Sequence, residues 1–184
     1  IELLQNYPLV EMFAADDDEL TRRVDEMLDA VATRTLRLFL RINTDGETGC
    51  ALVYLPRDRY NTGSRLALQN ALARRLEGSD LEYTARVSEM PLALLQVLVR
   101  VDPDTARRLG PVETGSAMHA EIQAALADVI RSWDERVRGL AREAQESGVG
   151  LGDGGADELL RSLPSLSDDY KEQRRPSSAL ADLV

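Results

Sequence analysis

A chain of 184 residues with 43% hydrophobic and 29% charged side chains has the make-up of a folded globular domain with an appendage, which excludes fibrous and disordered classes. The formal charge of −10, with no basic stripe interleaved with aromatics, excludes nucleic acid as a partner. No apolar run nears the roughly 20 residues a membrane-crossing helix needs, nothing at the start has the pattern of a signal peptide, and the chain reads as soluble and cytoplasmic.

The sequence opens on Ile1-Glu2-Leu3-Leu4, an apparent helix end without an initiator Met, and so reads as a piece of a longer polypeptide. Val10-Glu11-Met12-Phe13 reads as a short strand. Asp16 and Glu19 have capping-box spacing, and Leu20, Val24, Met27, Leu28 and Val31 follow at helical intervals, which predicts an amphipathic helix. From Arg34 to Ile42 the period changes to two, with Leu36, Leu38, Leu40 and Ile42 on one face and Arg37 and Arg41 on the other. Turn residues at 43–47 and a second apolar run, Cys50 to Leu55, complete an antiparallel hairpin. Leu68, Leu72 and Leu76 predict a second helix that Gly78 stops. Asp80 to Val87 and Leu92 to Val101 predict two more strands, paired across Ser88-Glu89-Met90-Pro91.

This order predicts an α+β fold, a ferredoxin-like βαββαβ sandwich over residues 8–102 with an extra strand. Helices would cover one sheet face and leave a face or an edge for association. Asp102-Pro103-Asp104 and Gly110-Pro111 bracket a linker at 103–111. A single long helix is expected over 112–147, because Ile122, Leu126, Val129, Trp133, Val137, Leu140 and Ala144 form one nearly straight seam. A glycine-rich linker at 148–157 and a helical tail at 158–184 end the chain.

Motifs of chemistry are few. Cys50 and His119 are the only residues of their types, so the chain can form no internal disulfide and no thiolate-imidazole zinc cage. His119 and Trp133 lie in helical patterns and read as packing residues. Gly150 to Gly155 matches G-x-G-x-x-G in letters, but it follows a helix where the dinucleotide fingerprint must follow a strand, and it reads as a linker. Asp16, Asp17, Asp18 and Glu19 read as first-turn carboxylates stabilised by the helix dipole and not as a cation site. Arg57, Asp58 and Arg59 sit between a strand end and a helix start, where such residues either close a sheet or bind an anion or small ligand.

Thr35-Leu36-Arg37-Leu38-Phe39-Leu40-Arg41, followed by Cys50-Ala51-Leu52-Val53-Tyr54-Leu55-Pro56-Arg57-Asp58-Arg59-Tyr60-Asn61-Thr62, resembles a signature of the large bacterial NAD-specific glutamate dehydrogenases. Tyr7-Pro8, Glu11-Met12-Phe13, Arg131-Ser132-Trp133, Leu163-Pro164 and Asp169-Tyr170-Lys171 extend the resemblance along most of the chain. The resemblance implies an ACT-like module and a helical segment that lie N-terminal to the catalytic domain. It further implies a parent enzyme that oxidatively deaminates L-glutamate, with NAD bound elsewhere, no cofactor or metal in this chain, and no activity of this chain alone. Other domains of the same polypeptide, a homo-oligomer and an amino-acid effector are the partners it implies, with Asp16, Asp17, Arg57, Asp58 and Arg59 as candidate effector or domain contacts. Many ligand-binding ACT domains carry a glycine in the loop between first strand and first helix, where it leaves room for an amino acid. Here that loop is Ala14-Ala15-Asp16-Asp17, with no glycine, which favours a structural or inter-subunit role over direct amino-acid binding.

Overall fold

The structure is a computed structural model that describes residues 7–42, 48–110, 112, 114–148 and 160–183. The chain divides into two compact units, 1–130 and 131–184. The first contains α1 (Leu9–Ala14), α2 (Asp17–Thr33), β1 (Arg37–Ile42), β2 (Thr48–Pro56), α3 (Thr62–Leu76), β3 (Ser79–Arg86), β4 (Leu92–Arg100), α4 (Pro103–Leu109) and α5 (Ala117–Val129). The second contains α6 (Trp133–Glu146), a 3-10 turn (Leu163–Ser165), α7 (Asp168–Gln173) and α8 (Pro176–Leu183).

Local chemistry sets the helix ends. Asp16 accepts a hydrogen bond from the Glu19 amide at 2.8 Å to start α2, and Arg34 ends that helix in the left-handed region. Asn61 and Ser64 form a reciprocal capping box for α3. At the end of α3 it is Glu77 that adopts the left-handed conformation, with φ of 49°. Gly78 is needed for space: a Cβ there would lie 2.2 Å from Val99 Cγ1 and 2.9 Å from the Arg100 carbonyl.

The sheet has the order β1-β2-β4-β3, and every neighbouring pair is antiparallel. β2 and β3 therefore run parallel with β4 between them, a split βαβ unit around α3. From β4 the chain passes through α5, which packs on β1 and α3. The resulting order, ββαββα, is the βαββαβ circuit begun one strand early: β1 occupies the edge that the closing strand would fill. The α+β, ACT-like architecture stands, with its first unit opened at a different point.

Three expectations change with it. Val10 to Phe13 lies in α1, not in a strand, and the sheet has four strands among the described residues. Pro8 accepts from the amides of Glu11 and Met12 and opens a helical turn, and a four-residue run was too short to distinguish period two from period 3.6. The segment expected as a linker at 103–111 contains α4, with Asp102 as N-cap, Pro103 in the first turn and Gly110 at φ 64° as its stop. The helix expected over 112–147 is two helices in different units, because Ser132 and Glu135 form a capping box that restarts the chain. The turn at 43–47 and the Gly150–Gly155 run lie outside the described residues.

Two cores flank the sheet, so helices cover both of its faces and not one as expected. On one face Leu38, Leu40, Val53, Leu55, Leu95 and Val97 pack with Leu68, Leu72 and Leu76 of α3 and Ile122 and Leu126 of α5. On the other, Phe39, Leu52, Tyr54 and Leu94 pack with Tyr7 and with Met27 and Ala30 of α2. In the second unit Val137, Ala141 and Leu163 form a separate core beside Trp133, whose indole donates to the Arg174 carbonyl at 2.7 Å.

Candidate functional site

The face of the sheet covered by α1 and α2 carries a buried ionic layer. α1 turns Glu11 inward, where its carboxylate accepts from Arg41 Nη2 at 2.6 Å and Nε at 3.1 Å, a two-pronged pairing. Arg23 of α2, also buried, donates to the Tyr7 hydroxyl and the Glu19 carboxylate. Burial raises the carboxyl pKa of Glu11, but the hydrogen bond and charge of Arg41 outweigh it and hold the group below the usual carboxylate range. Burial pushes the Cys50 thiol up to about 12, with the neighbouring Glu11 charge adding to it. Cys50 is thus a neutral thiol, the opposite of an activated nucleophile.

At the edge of this layer a cleft of about 460 Å³ opens between the start of α2 and the end of β1. Asp16, Asp18, Glu19, Arg22, Arg23 and Arg41 line it, so it offers both signs of charge. Of the residues singled out from sequence, Asp16 is among its lining residues while also capping α2, and Asp17 is an exposed first-turn residue that is not.

Arg57, Asp58 and Arg59 form a 3-10 turn between β2 and α3. The Arg57 amide donates to the Pro91 carbonyl at 2.9 Å and its guanidinium to the Ser88 carbonyl at 3.2 Å, tying the turn to the β3–β4 connection. Asp58 pairs with Arg34 at 2.9 Å, both side chains being well exposed. Because Asp16 caps one end of α2 and Arg34 the other, the 17 residues of that helix hold the two groups about 25 Å apart. The five residues therefore belong to two loci, not one.

The topology also relocates the strand-to-helix loop. The first strand of the βαββαβ circuit is β2, so the loop that follows it is the 57–61 turn, with Gly63 in the first turn of α3. Ala14 to Asp17 joins two helices, and its lack of glycine says nothing about that loop.

His119 is buried, and its Nε2 donates to the Leu38 carbonyl at 2.9 Å while Gln123 accepts from the Leu38 amide at 3.0 Å. One helical turn of α5 thereby occupies the outward backbone groups of an edge strand. Among the described residues no group of three or more His, Cys, Asp and Glu is placed to hold a metal ion. Sequence reasoning missed Glu11, Arg23 and Arg41 because a lone charge in an apolar pattern reads as solvent-facing. No local signal marks them as partners at separations of 16 and 30 residues.

Residues 37–134, just over half the chain, match the family described as "Glutamate dehydrogenase, ACT2 domain". The chain is 31% identical across its whole length to the NAD-specific glutamate dehydrogenase of Mycobacterium tuberculosis, of which it covers 11%. It is 29% identical over 99% of its length to that of Pseudomonas aeruginosa and 27% over all of it to that of Halomonas elongata, covering 10% of each. The chain thus spans about a tenth of the length of these relatives.

Proposed function

The chain belongs to the family of glutamate dehydrogenase ACT2 domains, and on that premise we propose that it is a non-catalytic regulatory and assembly segment of an NAD-dependent glutamate dehydrogenase. The whole polypeptide oxidatively deaminates L-glutamate to 2-oxoglutarate and ammonium, with NAD bound in another of its domains. What supports this reading is how the buried ionisable groups are used. Glu11 is held by Arg41, Arg23 by Tyr7 and Glu19, His119 by a backbone carbonyl, and Cys50 is neutral. These groups fasten helices to a sheet. Glu11 also hydrogen-bonds the Cys50 thiol, but with that thiol pushed up to about 12 the two are not an activated nucleophile and its base. The partners of the segment are other domains of the same polypeptide and further copies of it.

The relocated loop favours a second reading, an effector-binding domain. That loop holds the Arg57-Asp58-Arg59 turn at the start of α3, and an amino acid bound there would act by favouring one of two conformations of the enzyme; Gly63 itself gives room to the capping Asn61 side chain, whose Oδ1 a Cβ would approach to 3.2 Å. Calorimetric titration of the chain with aspartate, arginine, leucine and glutamate separates the readings. The structural reading predicts no saturable heat from any of the four. Saturable heat that Arg57→Ala abolishes would replace it with the effector reading.

A further inference from the structure

The short helix α1 is built inside out. Its carboxylate, Glu11, faces the sheet, while Leu9, Val10 and Phe13 are 65%, 72% and 85% exposed. Beside them the apolar stripe of α2 is wider than the sheet can cover. Met27 is fully buried, but Leu28, on the same helix, is 53% exposed. Between the two helices lies an apolar groove of about 300 Å³ lined by Met12, Leu20, Thr21, Val24 and Asp25. Scattered apolar residues on a surface need no explanation, but a groove flanked by protruding apolar side chains marks an association site.

The charge around the groove says what fits it. Asp17, Thr21 and Asp25 follow one another at helical intervals along α2, beside the Leu20-Val24-Leu28 stripe. Asp17 and Asp25 are exposed and make no ion pair among the described residues. A second copy would bring the same carboxylates against themselves, in a chain whose net charge is already −10. A helix with apolar side chains on one face and Arg or Lys beside them would fill the groove and neutralise its rim.

We propose that the α1–α2 groove is a docking site for a basic amphipathic helix from another part of the longer polypeptide. The proposal rests on the assembly reading above and gives it a surface. α1 and α2 lie outside residues 37–134, which the family model matches.

The test titrates the chain with a fluorescent synthetic helix of leucine and lysine at amphipathic spacing, and with a control in which glutamate replaces lysine. Expected is saturable, equimolar, salt-sensitive binding of the lysine peptide, little binding of the control, and a loss of about tenfold in affinity with Phe13→Ser or Leu28→Ser. Both side chains are exposed, so the variants keep the parent's circular dichroism and melting. The proposal is overturned by the absence of saturable binding, by equal binding of the two peptides, or by variants that bind as well as the parent. Sedimentation showing a dimer that Phe13→Ser dissociates would also overturn it, since a second copy would then be the occupant. Catalytic turnover and effector heats, which judge the assembly reading itself, do not depend on Phe13.

Discussion

Gly78 shows how one residue can be placed correctly for a different reason. A glycine after a helical run suggests a stop signal, yet Glu77 takes the left-handed cap and Gly78 is required because β4 passes directly over it. Gly78→Ala therefore destabilises the first unit by about 1–3 kcal/mol through overpacking, read by urea denaturation, whereas a conformational role alone would make the change small. Glu11 gives a pH signature. Its pKa is lowered in the folded state, so the stability it contributes is present above the ordinary carboxylate range and is lost as pH falls through its own depressed value. Glu11→Gln should cost about 1–2 kcal/mol at neutral pH, after allowance for the partial exposure of Arg41, and should flatten the acid limb of the stability curve. The thiol of Cys50 has the opposite sign: its raised pKa contributes stability below about pH 9 that is lost as pH climbs toward 12. Cys50 should accordingly resist thiol reagents in the native chain and react at once in denaturant. None of these long-range partners was legible in the sequence, because Glu11 and Arg41 are 30 residues apart and each reads as a solvent-facing charge.

Elements were read more reliably than their connections. The hairpin of β1 and β2, the helix α3 and the pair β3–β4 follow from period-two and period-3.6 patterns, and the registers agree: Leu38 and Val53 face each other, as do Val53 and Leu95. The start of α4 and the break before α6 both have local signals in the sequence. Asp102-Pro103 is a helix start, and Ser132-x-x-Glu135 is a capping box that outranks a continuous apolar seam. Asp16 and Asp17 lie at the start of α2, while Asp58 pairs with Arg34 at its end, so the charged candidates fall at two places in the fold. The His119–Gln123 clamp was invisible in the sequence: a helix i, i+4 pair gives no hint of the strand edge it covers. Replacing His119 with Ala leaves the buried Leu38 carbonyl without its donor and should cost about 1–3 kcal/mol, with faster amide exchange along β1. Exchange confined to α5 would mean that the clamp does not hold the edge.

At the scale of the molecule, a charged layer joins two helices to an ACT2 sheet, and the second unit has its own core of Val137, Ala141 and Leu163. Cutting the chain between Ile130 and Arg131 should leave a first unit that still unfolds cooperatively, since its core lies wholly within residues 1–130. Loss of cooperative unfolding on that cut would mean that the units fold together. The family was legible from Cys50 to Thr62; the structure makes that motif β2, a 3-10 turn and the start of α3, and we propose that it organises a loop without catalytic groups. The most direct test of that conclusion is glutamate-dependent formation of NADH, measured on the purified chain beside the full-length polypeptide that carries it. Turnover by the full-length polypeptide and none by the chain is the predicted result; turnover by the chain itself would contradict a non-catalytic role.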